Sequence, residues 1–276
     1  MHARDAVLDI EIVEKYPIMH YQSEKQKFLK VYCSHPMFVS RLRQVVEKGI
    51  NIAQRDCLSN ITYESNMAYN LRFMIDNEFG GMSWVRIGAG NWRIRHQREK
   101  KTTCQIEFDV ENYNHVEGLP CEAEYSKLAP LRTLSFDIEC TSEAGKFPTP
   151  QTQSIIQIAN IVKVQGETEI FVRNIFTLQK CAPIVGSRVF SFSTETAMLR
   201  AWRDFMVQVD PDIITGYNIV NFDLPYIIER AEFLKESKFA RFSRLRDSVS
   251  RIKSSTLSSK ALGTRDSKDI NIEGRV

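Results

Sequence analysis

The stretch LSFDIEC, residues 134–140, reads as a buried strand that nevertheless carries two carboxylates, and few folds can hold such a strand. Side chains alternate across a strand, so Asp137 and Glu139 share one face while Phe136 and Ile138 share the other. Burying an unpaired carboxylate costs at least about several kcal/mol, so both acids need compensation. Two arrangements supply it. One carboxylate can meet an arginine while the other reaches solvent at the strand end. Alternatively the pair shares a divalent cation, and hard oxygen donors favour Mg²⁺ or Mn²⁺ over zinc.

A third acid stands in the segment ITGYNIVNFDLPYIIERA, residues 214–231. A short apolar strand ends here, Gly216 permits a sharp exit, and Asn218, Asn221 and Asp223 cluster ahead of a helix. Asp223 before Leu224 and Pro225 is also good N-cap grammar, because proline is tolerated in a first helical turn. In open α/β sheets, functional groups collect beyond strand ends and at helix starts. Asp223 is therefore either a cap or the third member of an acidic site. Three carboxylates around divalent ions suit phosphodiester hydrolysis, with two ions about 4 Å apart serving the attacking water and the leaving oxygen.

The rest of the chain sets these segments in order. Uneven alternation over residues 7–31 predicts one or two strands. Ser34-His35-Pro36 opens a helix that ends at Gly49, with Phe38, Leu42, Val45 and Val46 as its core stripe. WVRI (84–87) and WRIR (92–95) flank Gly88-Ala89-Gly90-Asn91, a hairpin signal, and TCQIEFDV (103–110) alternates as a strand. A boundary near 120–130 follows from the connector around Gly118, Pro120 and Pro130. Beyond it, strands are expected at 131–140, 154–164 and 169–178. A helix follows at 193–209, stopped by Pro211, then a strand at 213–215 and a helix from Asp223 to about Lys235. Three strands, helix, strand, helix imply an α/β domain with a mixed sheet, and the whole chain is α+β.

Composition narrows the class of function. With 276 residues, 43% hydrophobic and 26% charged, the chain has the make-up of a globular protein of two ordinary domains. No apolar run is long enough to span a membrane. The first residues are too acidic for a signal peptide. The six cysteines form no CxxC pair and read as reduced intracellular thiols. All five histidines precede Asp137, so the second domain holds no serine–histidine or cysteine–histidine pair of its own. The net charge of +3 permits a nucleic-acid partner without demanding one.

SFDIEC resembles the first exonuclease motif of family-B DNA polymerases, and YNIVNFD the second. LAPLRTLSFDIEC, KCAPIVGSRVFSF and VDPDIITGYNIVNFDLPYIIERA are similar to replicative members of that family. The resemblance implies a β-rich, partly OB-like N-terminal domain over 1–128. It implies an RNase H-like 3′-5′ proofreading exonuclease domain, partial, over 129–276. It gives Asp137, Glu139 and Asp223 as catalytic metal ligands for two Mg²⁺ or Mn²⁺ ions. Asn218 would hold the frayed 3′ strand, with Phe136 and Phe222 as motif neighbours suited more to packing than to DNA contact. It further implies a single-stranded DNA 3′ end as partner, accessory polymerase subunits, no membrane and a nuclear location. The family's third motif, Y-x-x-x-D, has no counterpart after Tyr226, and neither the polymerase domain nor the cysteine-rich modules are present. The expectation is a truncated piece with weak or no activity by itself. A free-standing RNase H-like nuclease and a non-catalytic single-strand-binding module are the alternatives.

Two basic stretches complete the reading. Arg93 and Arg95 in WRIRHQREKK share a strand face, as phosphate contacts or as a solvated face. Arg244 and Arg251 lead into the serine-rich SSTLSSKALG, a loop or hairpin that is a candidate DNA contact.

Overall fold

In the computed structural model, the described residues are 6–18, 22–50, 61–259 and 263–276. The chain divides into two compact units, one of residues 1–86 with 117–120, the other of 87–116 with 121–276. Cys57 lies outside the described residues.

In the first unit, β1 (Val7–Lys15) and β2 (Gln26–Cys33) form an antiparallel ribbon that pairs Ile10 with Val31 and Ile12 with Leu29. Helix α1 (Pro36–Lys48) follows, as its sequence predicts. His35 caps it, accepting the Met37 N–H at Nδ1, and Gly49 ends it at φ 105°. Its expected core stripe is corrected in part. Phe38 is buried, but Leu42 and Val46 are half-buried and Val45 is exposed. Helix α2 (Tyr69–Asp76) completes this unit's helices among the described residues.

The expected 84–95 hairpin is also corrected. Strands β3 (Val85–Ile87) and β4 (Trp92–Ile94) do form, but β4 pairs with β5 (Phe108–Val110) rather than with β3. Only the last three residues of the alternating 103–110 run are strand, because Glu107 turns back onto the loop before it. Its carboxylate accepts the N–H groups of Lys101 and Thr102 and the Thr102 hydroxyl. Strand β6 (Val116–Gly118) pairs with β3.

The second unit is built on a five-stranded mixed sheet. Strands β7 (Arg132–Cys140), β8 (Ile155–Val164) and β9 (Val172–Leu178) run as an antiparallel meander. Parallel strands close both edges: β10 (Arg188–Phe192) beside β9 and β11 (Ile213–Thr215) beside β7. Register explains the core. Leu134, Phe136 and Ile138 lie opposite Val162, Asn160 and Ile158, and these lie opposite Val172, Asn174 and Phe176, so one face is apolar except for two asparagines.

Helix α3 (Glu195–Val209) covers that face, with its ring contacts Trp202–Phe136 at 5.1 Å and Phe205–Phe176 at 5.5 Å. The two asparagines are satisfied internally. The Trp202 indole donates to Asn160 Oδ1 at 2.9 Å, and Asn160 Nδ2 donates to Asn174 Oδ1 at 3.0 Å. Thr194 caps α3 by accepting the Ala197 N–H, and Asp210 ends it in the left-handed region at φ 47°. Helix α4 (Asp223–Phe233) follows β11. The serine-rich segment forms an antiparallel hairpin, β12 (Arg251–Ser259) with β13 (Gly263–Asn271), and its tip at 260–262 lies outside the described residues.

Candidate active site

The central strand carries its acids as the alternation demands. Leu134, Phe136 and Ile138 are buried, while Asp137 and Glu139 are exposed. What distinguishes β7 is its edge. Pairing with β11 stops at Ser135–Thr215, after which the chain leaves through Gly216. A Cβ on Gly216 would lie 2.5 Å from the Phe136 carbonyl oxygen and 2.3 Å from Ile219 Cγ2, so only glycine allows this close passage. Beyond it, the Ile138 N–H has no strand to pair with. Asp223 fills that position, its Oδ1 accepting the Ile138 N–H at 3.0 Å.

This arrangement corrects the N-cap reading of Asp223. Phe222 occupies the cap without a side-chain hydrogen bond, and Asp223 is the first helical residue. Its carboxyl is buried, at 1% exposure, and is directed to β7. Burial pushes its pKa up. The Ile138 N–H opposes that rise, while the charges of Asp137 and Glu139 add to it. The third carboxylate is therefore electrostatically close to the other two. Among the described residues, no ion pair of any of the three is found at salt-bridge distance, and the two acids on β7 are exposed.

The donor set is chemically suited to a hard divalent cation, being three carboxylates. Their side chains do not close into a cluster, however, and no group of three His, Cys, Asp or Glu among the described residues is placed to hold an ion. The acids are gathered at one strand end without being drawn around a common point.

The loop from β11 to α4 supplies the neighbours. Asn218 is exposed in the left-handed region at φ 56°, a conformation asparagine tolerates. Its Oδ1 accepts the Asn221 amide at 2.8 Å. Phe222 is half-buried and meets Phe147 edge-on, with ring centroids 5.3 Å apart. Phe147 is 77% exposed and Tyr217 93% exposed. The sequence reading passed over both, although an aromatic residue between Gly145 and Pro148 is a detectable signal. Phe136, by contrast, is a core residue packed on Trp202, which takes it out of the DNA-contact set.

The basic candidates divide in the same way. Arg93 and Arg95 both pair with Asp109, and Arg95 also with Glu107. Arg244 is held inside the domain by Asp210 at 2.9 Å and Asp212 at 2.6 Å. It lines a cavity of 270 Å³ with Arg132, Asp210, Asp212 and Cys104, and none of the three site carboxylates belongs to its walls. Arg251 opens β12 with its side chain exposed.

Comparison with known proteins gives consistent results. Residues 60–276 match the family described as DNA polymerase family B, exonuclease domain. Residues 1–40 match the DNA polymerase delta catalytic subunit-like, N-terminal domain. The chain is 48% identical over 268 residues to the DNA polymerase delta catalytic subunit of Oryza sativa subsp. japonica, covering 97% of this chain and 24% of the relative. It is 42% identical to that of Drosophila melanogaster, covering 100% and 26%. Among solved structures, the family B DNA polymerase of the archaeon Pyrobaculum calidifontis is similar at TM-score 0.59 and 26% identity, over 99% of this chain and 28% of that one. The chain thus spans about a quarter of the length of the curated relatives it matches.

Proposed function

Because the chain belongs to the family B DNA polymerases, corresponding to the N-terminal and exonuclease region of the delta catalytic subunit, we propose that it houses the 3′-5′ proofreading site of a delta-type replicative enzyme. The reaction is hydrolysis of the terminal phosphodiester at the 3′ end of a DNA strand. In this reading residues 129–276 are the RNase H-like part and residues 1–128 the β-rich, partly OB-like N-terminal domain. DNA, accessory polymerase subunits and a nuclear location are those of the polymerase to which such a region belongs.

The observation that carries the reading is the contact of Asp223 with the Ile138 N–H, which brings a buried third acid to the end of the strand bearing Asp137 and Glu139. These three would hold Mg²⁺ or Mn²⁺. When bound, such ions polarise the phosphodiester and lower the pKa of water. The chain's own residues do the rest. The β7 edge fixes Asp223, the β7 pleat aims Asp137 and Glu139 to one side, and the main-chain geometry at Asn218 holds the intervening loop. Phe147 and Phe222 offer an exposed aromatic edge on which a frayed base can stack without sequence preference. Asn218 offers its amide to the strand, and Arg251 a phosphate contact.

No Y-x-x-x-D element follows Tyr226 in these 276 residues, so we expect slow or no trimming by this chain alone. The test is Mn²⁺ binding by the chain, followed by electron paramagnetic resonance, together with 3′-end trimming by the complete enzyme. Asp137→Ala and Asp223→Ala each weaken binding and abolish trimming. A wild-type chain that binds no Mn²⁺, alongside a complete Asp223→Ala enzyme that still trims, refutes the assignment.

A further inference from the structure

β7 and β8 do not pair evenly at the site. Asp137 faces Ala159, Ile138 faces Ile158 and Glu139 faces Gln157, but Cys140 faces Ile155, so Ile156 is an extra residue on β8. This is a β-bulge, the device that bends a strand and re-aims a side chain. It lies immediately beside Glu139.

The Ile155 N–H next to the bulge is taken by Glu195 Oε1 at 2.8 Å. Glu195 sits in the first turn of α3, buried at 9% exposure, and is held by Arg230 of α4 in a two-pronged pair at 2.9 and 2.8 Å. Arg230, 5% exposed, spends its remaining donors on the loop leading into β8: NH1 on the Pro150 carbonyl and NH2 on Ser154 Oγ. Tyr226, one turn earlier on the same helix, reaches the Thr149 and Gln153 carbonyls through its hydroxyl. Ser154 in turn closes onto Thr141, two residues past Glu139, with the Thr141 N–H donating to the Ser154 carbonyl at 2.9 Å. Asp223, Tyr226 and Arg230 are spaced i, i+3, i+7, so one helix face delivers the third acid to β7 and grips the loop that enters the bulge.

We infer that Arg230, acting through Glu195, is a positioning residue for the carboxylate of Glu139: the pair pins the bulge that sets where Glu139 projects relative to Asp137 and Asp223. A buried ion pair of this kind adds little to net stability compared with an apolar substitute. Its value lies in geometry, because two carboxylate oxygens and four N–H···O bonds tie two helices to the loop before β8 at once. The inference rests on the reading of Glu139 as a metal ligand.

The experiment has two arms on the 276-residue chain. In the first, amide hydrogen exchange at Ile155 and Gln157 is followed by NMR in wild type, Arg230→Lys, Glu195→Gln and Glu195→Leu. Arg230→Lys keeps the charge but loses the fork, and Glu195→Leu removes the acceptor. Both are expected to lower Ile155 protection at least about tenfold, whereas Glu195→Gln, which keeps an acceptor, retains most of it. In the second arm, Mn²⁺ titration is expected to show affinity about 10- to 100-fold weaker in Arg230→Lys. In a Glu139→Gln background, Arg230→Lys should add no further loss, which a general loosening of the fold would not produce. The double variant Glu195→Leu/Arg230→Met, free of unpaired buried charge, serves if a single variant does not fold. Unchanged Ile155 protection, or a Mn²⁺ loss that persists in full when Glu139 is already Gln, overturns the inference. If the wild-type chain binds no Mn²⁺, the metal reading fails, and exchange at Ile155 with the Glu139 side-chain shift still decides whether the pair holds the bulge.

Discussion

The Trp202 indole N–H donates to Asn160 Oδ1 across the boundary between α3 and the sheet, with both side chains buried. It is a polar contact inside an otherwise apolar layer, and it fixes α3 against β8 at one register. Trp202→Phe is expected to leave Asn160 Oδ1 without this partner and to remove ring contacts with Phe239 and Phe242. A loss of about 2–4 kcal/mol in urea unfolding follows from the unsatisfied acceptor and the lost volume.

Asp223→Asn keeps an acceptor for the Ile138 N–H but removes a charge that burial and two neighbouring carboxylates oppose. Because the folded carboxyl titrates above its ordinary value, the native state is favoured at pH below that value and loses this contribution as pH rises. Without metal at neutral pH, the variant is expected to melt a few degrees higher than wild type, while Mn²⁺ binding falls. Parallel melting curves with and without Mn²⁺ check both signs.

At the acid end, Glu107 dominates the second unit's β-ribbon. The Lys101 N–H, the Thr102 donors and Arg95 hold its carboxyl down to about 2. Burial opposes the same shift at Asp210, but hydrogen bonds from Arg244 and Arg275 win and keep it below its ordinary value. For both, the stabilising contribution is complete above the ordinary carboxylate range of roughly pH 4 and is lost as pH falls below it, toward about 2 for Glu107. Glu107→Gln removes that contribution where it is present, so the urea midpoint is expected to fall at neutral pH, its pH dependence across that window to flatten, and variant and wild type to converge at the acid end.

Gly216→Ala places a methyl group against the Phe136 carbonyl and Ile219. Backbone cannot yield as a side chain can, so the β11 exit must shift, and Asp223 with it. The expected result is a loss of about 2–3 kcal/mol in stability together with loss of Mn²⁺ binding, measured by unfolding and by titration.

Charge reversal separates the two basic candidates. Arg251→Glu should weaken single-stranded DNA binding and reduce its salt slope by about one, with little effect on melting. Arg244→Glu breaks pairs with Asp210 and Asp212, so its main effect should be a lower melting temperature. In the complete enzyme, Asp137→Ala should abolish 3′-end trimming and leave synthesis nearly intact. Equal loss of both activities would count against a separate site.

Much of this was legible in the residues themselves. Alternation located β7, and a 3.6-residue stripe located α3 and α4. The paired acids and Asp223 stand out in the sequence as a candidate site, and the fold brings Asp223 onto the strand that bears the pair. What local pattern could not reveal was pairing at a distance. The two runs around Gly88–Asn91 look like a hairpin, yet β4 finds β5, because turn residues permit a hairpin without enforcing one. β10 went unread since its five residues gain strand character only beside β9. Arg244 looked like one of several surface cations until Asp210 and Asp212, more than thirty positions earlier, proved to hold it. Glu195 reads as an ordinary acid of a first helical turn, and its bond to the Ile155 N–H exists only in three dimensions.

β11 contributes three residues and then stops. Had its pairing with β7 run on, a main-chain carbonyl would have answered the Ile138 N–H, and a side chain would have had no vacancy to enter. The site therefore depends on a length as well as on a set of acids. The span 216–222 acts as a ruler between the last paired residue and the first residue of α4. Adding or removing one residue there would leave every carboxylate in the sequence intact and still move Asp223 off its mark.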